Sequence, residues 1–268
     1  MTLRDDQSGH GEARRPGPWD RPPPLQAADR RPRPSELMSE RKWTSRLSVI
    51  AFVLIVGTTL IQAFKDVSRP EAWAYWKDLY FSHSLTSALA SEADLGDLGH
   101  RRSALVISGE IGAASASWFR DRLDEAHLVP GDVVLMSSPG GDLAQAVIMG
   151  EVIRAHGLAT AVGVIDGAGK VKPSHCASAC VFAFAGGATR FGVPGSRLGV
   201  HRFVSNAADH DAVSDTQRTT GQILGYLTKM GVSSSSFVEA MSATGDIRWL
   251  GTQDARAMNL ITDPLRAQ

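Results

Sequence analysis

Residues 137–147 read SSPGGDLAQAV. They join DVVLMSS (132–138), an apolar run of strand length, to DLAQAVIMGEVIRAHG (142–157), whose apolar residues recur at helical spacing. Two consecutive glycines at such a junction let the backbone approach a ligand closely. They also leave N–H groups free at the start of a helix. Such groups bind an oxyanion or a phosphate, although a plain tight turn reads the same way.

The same alternation continues on both sides of this stretch. SALVISG (103–109) reads as a strand and ASASWFRDRLDEAH (114–127) as a helix. ATAVGVI (159–165) is a strand, SACVFAFAG (178–186) a short apolar helix, and RLGVHRF (197–203) a strand. Residues 212–230 and 233–243 carry helical patterns. This succession of βα units predicts an α/β domain over 103–268, with mostly parallel strands and helices outside.

The composition divides the chain before residue 47. Residues 1–46 hold ten Lys/Arg and seven Asp/Glu, with many prolines and few aliphatic residues. Such a segment has too little apolar surface for a core, so 1–46 is expected to be a disordered tail. The remainder holds 18 basic and 21 acidic residues and no Lys/Arg run, which argues against a nucleic-acid partner.

Between these parts lies LSVIAFVLIVGTTLIQAF (47–64), uncharged and bounded by Arg46 and Lys65. At about 1.5 Å per residue it spans about 27 Å as a helix, enough for a bilayer core. A buried core helix would carry a polar stripe, and this stretch offers only Ser48, Thr58, Thr59 and Gln62. A cleaved leader would be followed by a small-residue cleavage site, and no clean A-x-A follows. Arg41, Lys42 and Arg46 precede the span, whereas Lys65, Asp66, Arg69 and Glu71 follow it with mixed sign. The expectation is a single-pass helix in the cell inner membrane. Its amino end is cytoplasmic and the large domain periplasmic. Residues 65–102 then form a helical, aromatic-rich juxtamembrane linker, its Trp and Tyr residues placed at the interface or against the domain.

Two side chains stand out as candidate chemistry. Ser178 opens the apolar helix, where the dipole and free N–H groups favour developing negative charge. A serine at a helix start is ordinarily just an N-cap. His201 lies in an apolar strand, ordinarily a structural place for histidine, but a nucleophilic serine needs a base and histidine is the commonest.

As a set, SSPGGDLAQAV, CASACVFAFAGGATRFGVPGSRLGVHRF and RWLGTQDARAMNLITD resemble the Clp-protease proteolytic subunit within the ClpP/crotonase fold. The likeness spans about residues 103–263 and looks closer to the membrane-associated or periplasmic ClpP-like branch. It implies a ClpP/crotonase-like spiral of βα units. It also implies a membrane-anchored serine hydrolase acting on peptides or proteins, a homo-oligomeric assembly and no cofactor. Carried over by position, Ser178 is the nucleophile and His201 the general base, and the backbone N–H groups of Gly141 and Ala179 form the oxyanion hole. The acid of the triad falls shortly before Trp249-Leu250. The nearest carboxylate, Asp246, stands one position early, and strict alignment puts Ile247 there. Three arrangements stay open: Asp246 brought in by a bulge, a Ser–His dyad, or a catalytically inactive binding module. Lys229 is a distant alternative base. An acyl-CoA enzyme shares the fold, but export and the Ser–His pair disfavour it. A second departure is the long loop VIDGAGKVKPSH before Ser178, which carries Lys170 and Lys172. It reads either as a gate or anion site or as a mobile insertion.

The chain's two cysteines, Cys176 and Cys180, flank Ser178. In an oxidising compartment they are candidates for a disulfide that pins the turn presenting Ser178. Alternatively they are small buried apolar residues. His175, Cys176 and Cys180 crowd together with no fourth ligand, which is not a usual zinc site, so no metal is expected.

Overall fold

The computed structural model describes residues 34–81, 83–95, 102–202, 212–242 and 246–265. The chain separates into two compact units, Met1–Gln62 and Ala63–Gln268. Of the expected disordered tail, 1–33 lies outside the described residues, and from Pro34 the chain is helical. Helix α1 runs Pro34–Val67. Its early start suits a proline in the first turn followed by good helix formers. Within it, Arg46–Val67 has a mean hydropathy of 2.3 and no buried residue. By length and composition it is a helix able to cross a membrane; at about 1.5 Å per residue it extends about 33 Å.

Helix α2 (Pro70–Tyr80) is followed by strand β1 (Leu85–Ala93). Part of the stretch expected to be a helical linker is therefore integral to the domain. Strand β1 pairs antiparallel with β2 (Arg102–Gly109) over most of its length. Helix α2 is tied down by Asp78, whose carboxylate accepts from Ser84 N at 2.8 Å and Ala114 N at 2.9 Å. Ala114 is the N-cap of α3 (Ser115–Ala126), so Asp78 serves from a distance as that helix's cap. The same helix leaves Trp73 and Tyr80 more than half exposed.

The remaining elements follow the βα alternation. Strand β3 is Val133–Ser137 and helix α4 Leu143–Ala155, with Asp142 as N-cap accepting from Gln145 N. Then come β4 (Ala159–Val162), β5 (Val164–Ile165), β6 (Val171–Lys172), β7 (His175–Ala177) and α5 (Ala179–Ala185). Strands β8 (Arg190–Gly192) and β9 (Arg197–Val200) lead to α6 (Ala212–Lys229) and α7 (Ser234–Ser242). The chain closes with β10 (Arg248–Leu250), α8 (Thr252–Ala257) and β11 (Asp263–Pro264).

The main sheet has the order β1-β2-β3-β4-β8-β11 and is parallel from β2 onward. Strands β3 and β4 are buried along nearly their whole length, which matches their unbroken apolar sequences and the covering of a parallel sheet on both faces. All seven residues of α5 are buried. They pack with Phe237, Met149 and Leu227 in one core cluster. A second sheet, β10-β9-β7, carries the ends on which the candidate residues lie. The long loop before Ser178 is ordered as a hairpin, β5 pairing with β6. Its turn is closed by Asp166, which accepts from Ala168 N and Lys170 N and pairs with Lys172 at 3.3 Å. Those bonds, Lys170 N first, hold its carboxyl below the usual carboxylate range.

Candidate active site

Ser178 is the single residue between β7 and α5. Its backbone lies at φ 55° and ψ −125°, a region that costs a non-glycine residue about 1–3 kcal/mol and persists only when its surroundings over-determine it. Several contacts do so. Ser178 N donates to Gly199 O at 2.8 Å and Val181 N to Ser178 O at 3.1 Å. Cys176 and Cys180 form a disulfide around it, their Cα atoms 5.4 Å apart. The ordinary role of a serine at this place is not taken up, since its side chain makes no cap bond to α5. The hydroxyl faces His201 instead, with Oγ 2.6 Å from Nε2.

The register explains the meeting. Strands β7 and β9 are parallel, with Ala177 level with Gly199, so Ser178 and His201 leave neighbouring strand ends on one side. The other ring nitrogen, Nδ1, is 2.8 Å from the Arg202 carbonyl oxygen. A carbonyl only accepts, so Nδ1 carries the proton in the neutral ring. Nε2 then presents its lone pair to the serine O–H. This is the tautomer a general base needs.

Gly140 and Gly141 bring the β3–α4 turn against this corner. Ser138 forms a parallel bridge with Cys176, and Ile111 one with Gly141. The second bridge uses Ile111 N to Gly140 O and Asp142 N to Ile111 O, both 2.7 Å. Neither bond employs the Gly141 N–H. Ala179 N opens α5, in the turn whose donors have no intrahelical acceptor. A Cβ on Gly140 would stand 2.7 Å from Ser178 Cβ and 3.0 Å from Ala179 N. Glycine is thus required at 140 for the two loops to touch.

An apolar pocket opens beside the pair, lined by Phe182, Val200, Phe237 and Met241 together with Ser178 and His201. A neighbouring cavity shares Met241 and continues to Ile223, Val238 and Arg202.

Strands β9 and β10 are antiparallel with Val200 level with Arg248. Continued one step, the register sets Ile247 level with His201 and Asp246 one residue beyond. Asp246 is exposed. Lys229, the distant alternative base, is paired with Glu151 at 2.8 Å on the surface. Among the described residues no group of three His, Cys, Asp or Glu side chains is arranged to hold a metal ion.

The glycine pair stands out in the sequence, but the contact of Gly140 with Ser178 does not, and neither does Arg190. Arg190 is 2% exposed. Its guanidinium donates to the carbonyls of Leu260, Gly187, Met230 and Asn259 at 2.7–3.2 Å and to Ala185 at 3.4 Å. Burial, and then the neighbouring Arg154, push it down to about 10. Its partners include the carboxyl end of α5, so the helix that begins beside Ser178 is anchored at its far end by a buried cation, the favourable sign for a helix C-terminus. Tyr226 donates to Phe182 O at 2.7 Å in the middle of the same helix, and burial raises its pKa.

No protein-family model matches the chain, and no curated protein matches it. Among solved structures it is similar to ClpP1 from Listeria monocytogenes and to an asparagine-to-aspartate mutant of that protein. Each alignment has 15% sequence identity and a TM-score of 0.48, covering 62% of this chain and 92% of that chain.

Proposed function

We propose that this chain is a serine hydrolase of the ClpP-like type that cleaves peptide bonds, with Ser178 as nucleophile and His201 as general base. The observation that carries this reading is the 2.6 Å contact between Ser178 Oγ and His201 Nε2. It joins a serine held at φ 55° to a histidine whose Nδ1 faces a carbonyl. His201 Nε2 takes the hydroxyl proton as Oγ attacks the acyl carbon. The oxyanion is received by the N–H groups of Gly141 and Ala179, each worth about 10²–10³ in kcat at such sites. The imidazolium then returns its proton to the leaving amine, and a water completes the cycle by the same route. Either Asp246 or the Arg202 carbonyl orients the ring, and Asp246→Ala separates the two: an unchanged kcat assigns the role to Arg202.

The same proposal assigns 1–46 to a cytoplasmic tail and 47–64 to a single inner-membrane span. The hydrolase domain then lies on the periplasmic side, with further copies of the chain as its assembly partners. Support comes from the apolar helix, the basic residues Arg41, Lys42 and Arg46 before it, and a disulfide, which suits an oxidising compartment.

The test uses the full chain in detergent micelles with a fluorogenic peptide library. Hydrolysis that disappears in Ser178→Ala and in His201→Ala is expected. Hydrolysis that survives Ser178→Ala would refute the assignment.

A further inference from the structure

We propose that the Cys176–Cys180 disulfide is a positioning device for Ser178, so that the hydrolase works in its oxidised form and fails when the bridge is opened. The inference rests on the reading of Ser178 as nucleophile. The bridge closes a ring of five residues with Ser178 at its centre. One end of that ring is fixed in a sheet: Cys176 is level with Leu198 in β9 and bridged to Ser138. The other end is the first turn of α5, whose far end is anchored by Arg190. The ring therefore ties the strand end to the helix start across the one residue that must hold a positive φ.

Without the bridge, two backbone bonds remain to hold that residue, Ser178 N to Gly199 O and Val181 N to Ser178 O. A serine left to its own preference moves to negative φ by a factor of about ten to a hundred. That movement swings Oγ away from His201 Nε2. Both cysteines are at most 1% exposed and belong to the apolar core. An alanine pair thus keeps the apolar character of the site while removing the tether. Opening the bridge adds two electrons and two protons across the Sγ–Sγ bond to give two thiols. The dithiothreitol used for it is oxidised to its cyclic disulfide.

The experiment compares three forms of the full chain in detergent on a fluorogenic peptide: oxidised, reduced with dithiothreitol in mild urea that is then removed, and Cys176→Ala/Cys180→Ala. Thiol titration confirms two free thiols in the reduced form, and circular dichroism reports the fold. A positioning role lowers kcat about ten- to hundredfold and leaves KM within about twofold, in a chain that is still folded. Reoxidation of the reduced chain restores kcat. Retention of kcat in the reduced, folded chain overturns the inference and leaves Ser178 as nucleophile untouched. Loss of fold on reduction overturns it too, since the bridge would then be a general staple. An oxidised chain with no activity overturns the nucleophile reading and this inference with it.

Discussion

Replacing Gly140 by alanine probes the contact between the two loops of the candidate site. Gly140 has φ +108°, and an alanine there would bear about 1–3 kcal/mol of backbone strain. Its Cβ would also meet Ser178 Cβ and Ala177 O at 2.7 Å and Ala179 N at 3.0 Å. Non-bonded carbons settle at about 3.5–4.0 Å, so Ser178 has to retreat by about 1 Å. A displacement of that size at a reacting centre costs about a hundredfold in rate. Gly157→Ala supplies the control. It too has a positive φ, +64°, but the nearest atoms to its Cβ would all belong to Pro130, at 3.3–3.8 Å, and none to Ser178 or its neighbours. The assay is kcat on a peptide substrate beside thermal unfolding followed by circular dichroism. Both variants are expected to melt lower, by about 2–4 °C per kcal/mol in a domain of this size. Only Gly140→Ala loses activity, by about a hundredfold. A Gly140→Ala chain that keeps kcat within threefold would refute the placing of the glycine turn against Ser178.

Three further outcomes follow from the packing. Arg190→Met leaves several buried carbonyls without a donor and is expected to cost about 3–5 kcal/mol, seen as a lower urea midpoint; an unchanged midpoint would contradict the anchoring role. Asp78→Ala removes the bonds to Ala114 N and Ser84 N and is expected to cost about 1–2 kcal/mol, as the loss of a helix cap does. Thermal unfolding checks it, and a neutral result would contradict α2 as part of the domain. Tyr226 has its folded pKa raised by burial above the unfolded value of about 10. The unfolded chain therefore releases that proton first, and stability present below pH 10 is lost as the pH rises above it. In urea titrations on both sides of that pH, Tyr226→Phe is expected to show a smaller alkaline loss than the parent. An equal loss would count against a buried phenol donating to Phe182 O.

Much of the candidate site was legible in the sequence because its parts are local. A strand ending in SSPGGD, a serine opening an apolar helix and a histidine in the next apolar strand each announce themselves within a few residues. The order of βα units follows from the same runs. Strand β1 was not legible. LTSALASEA is rich in Ala, Leu and Ser, with one β-branched residue, and only its ends are buried. Pairing with β2 imposes the strand against local preference. The β5–β6 hairpin was hidden for a related reason, being only two residues on each side of a turn set by Asp166. Arg190 reads as a surface residue, because its partners at Met230, Asn259 and Leu260 are 40–70 positions away. The closeness of Gly140 to Ser178 likewise belongs to the bridge between Ser138 and Cys176, which no spacing reveals.

The most direct measurement is reaction of the full-length chain with a fluorophosphonate, followed by intact mass and peptide mapping. One adduct per chain is expected, on Ser178, formed by the parent and abolished in Ser178→Ala. His201→Ala is predicted to slow it by at least a hundredfold, in line with the rate a positioned base supplies. A folded parent chain that takes up no adduct, while a control hydrolase is labelled, would contradict the claim that Ser178 and His201 form a working nucleophile. An adduct on any other residue would contradict it equally.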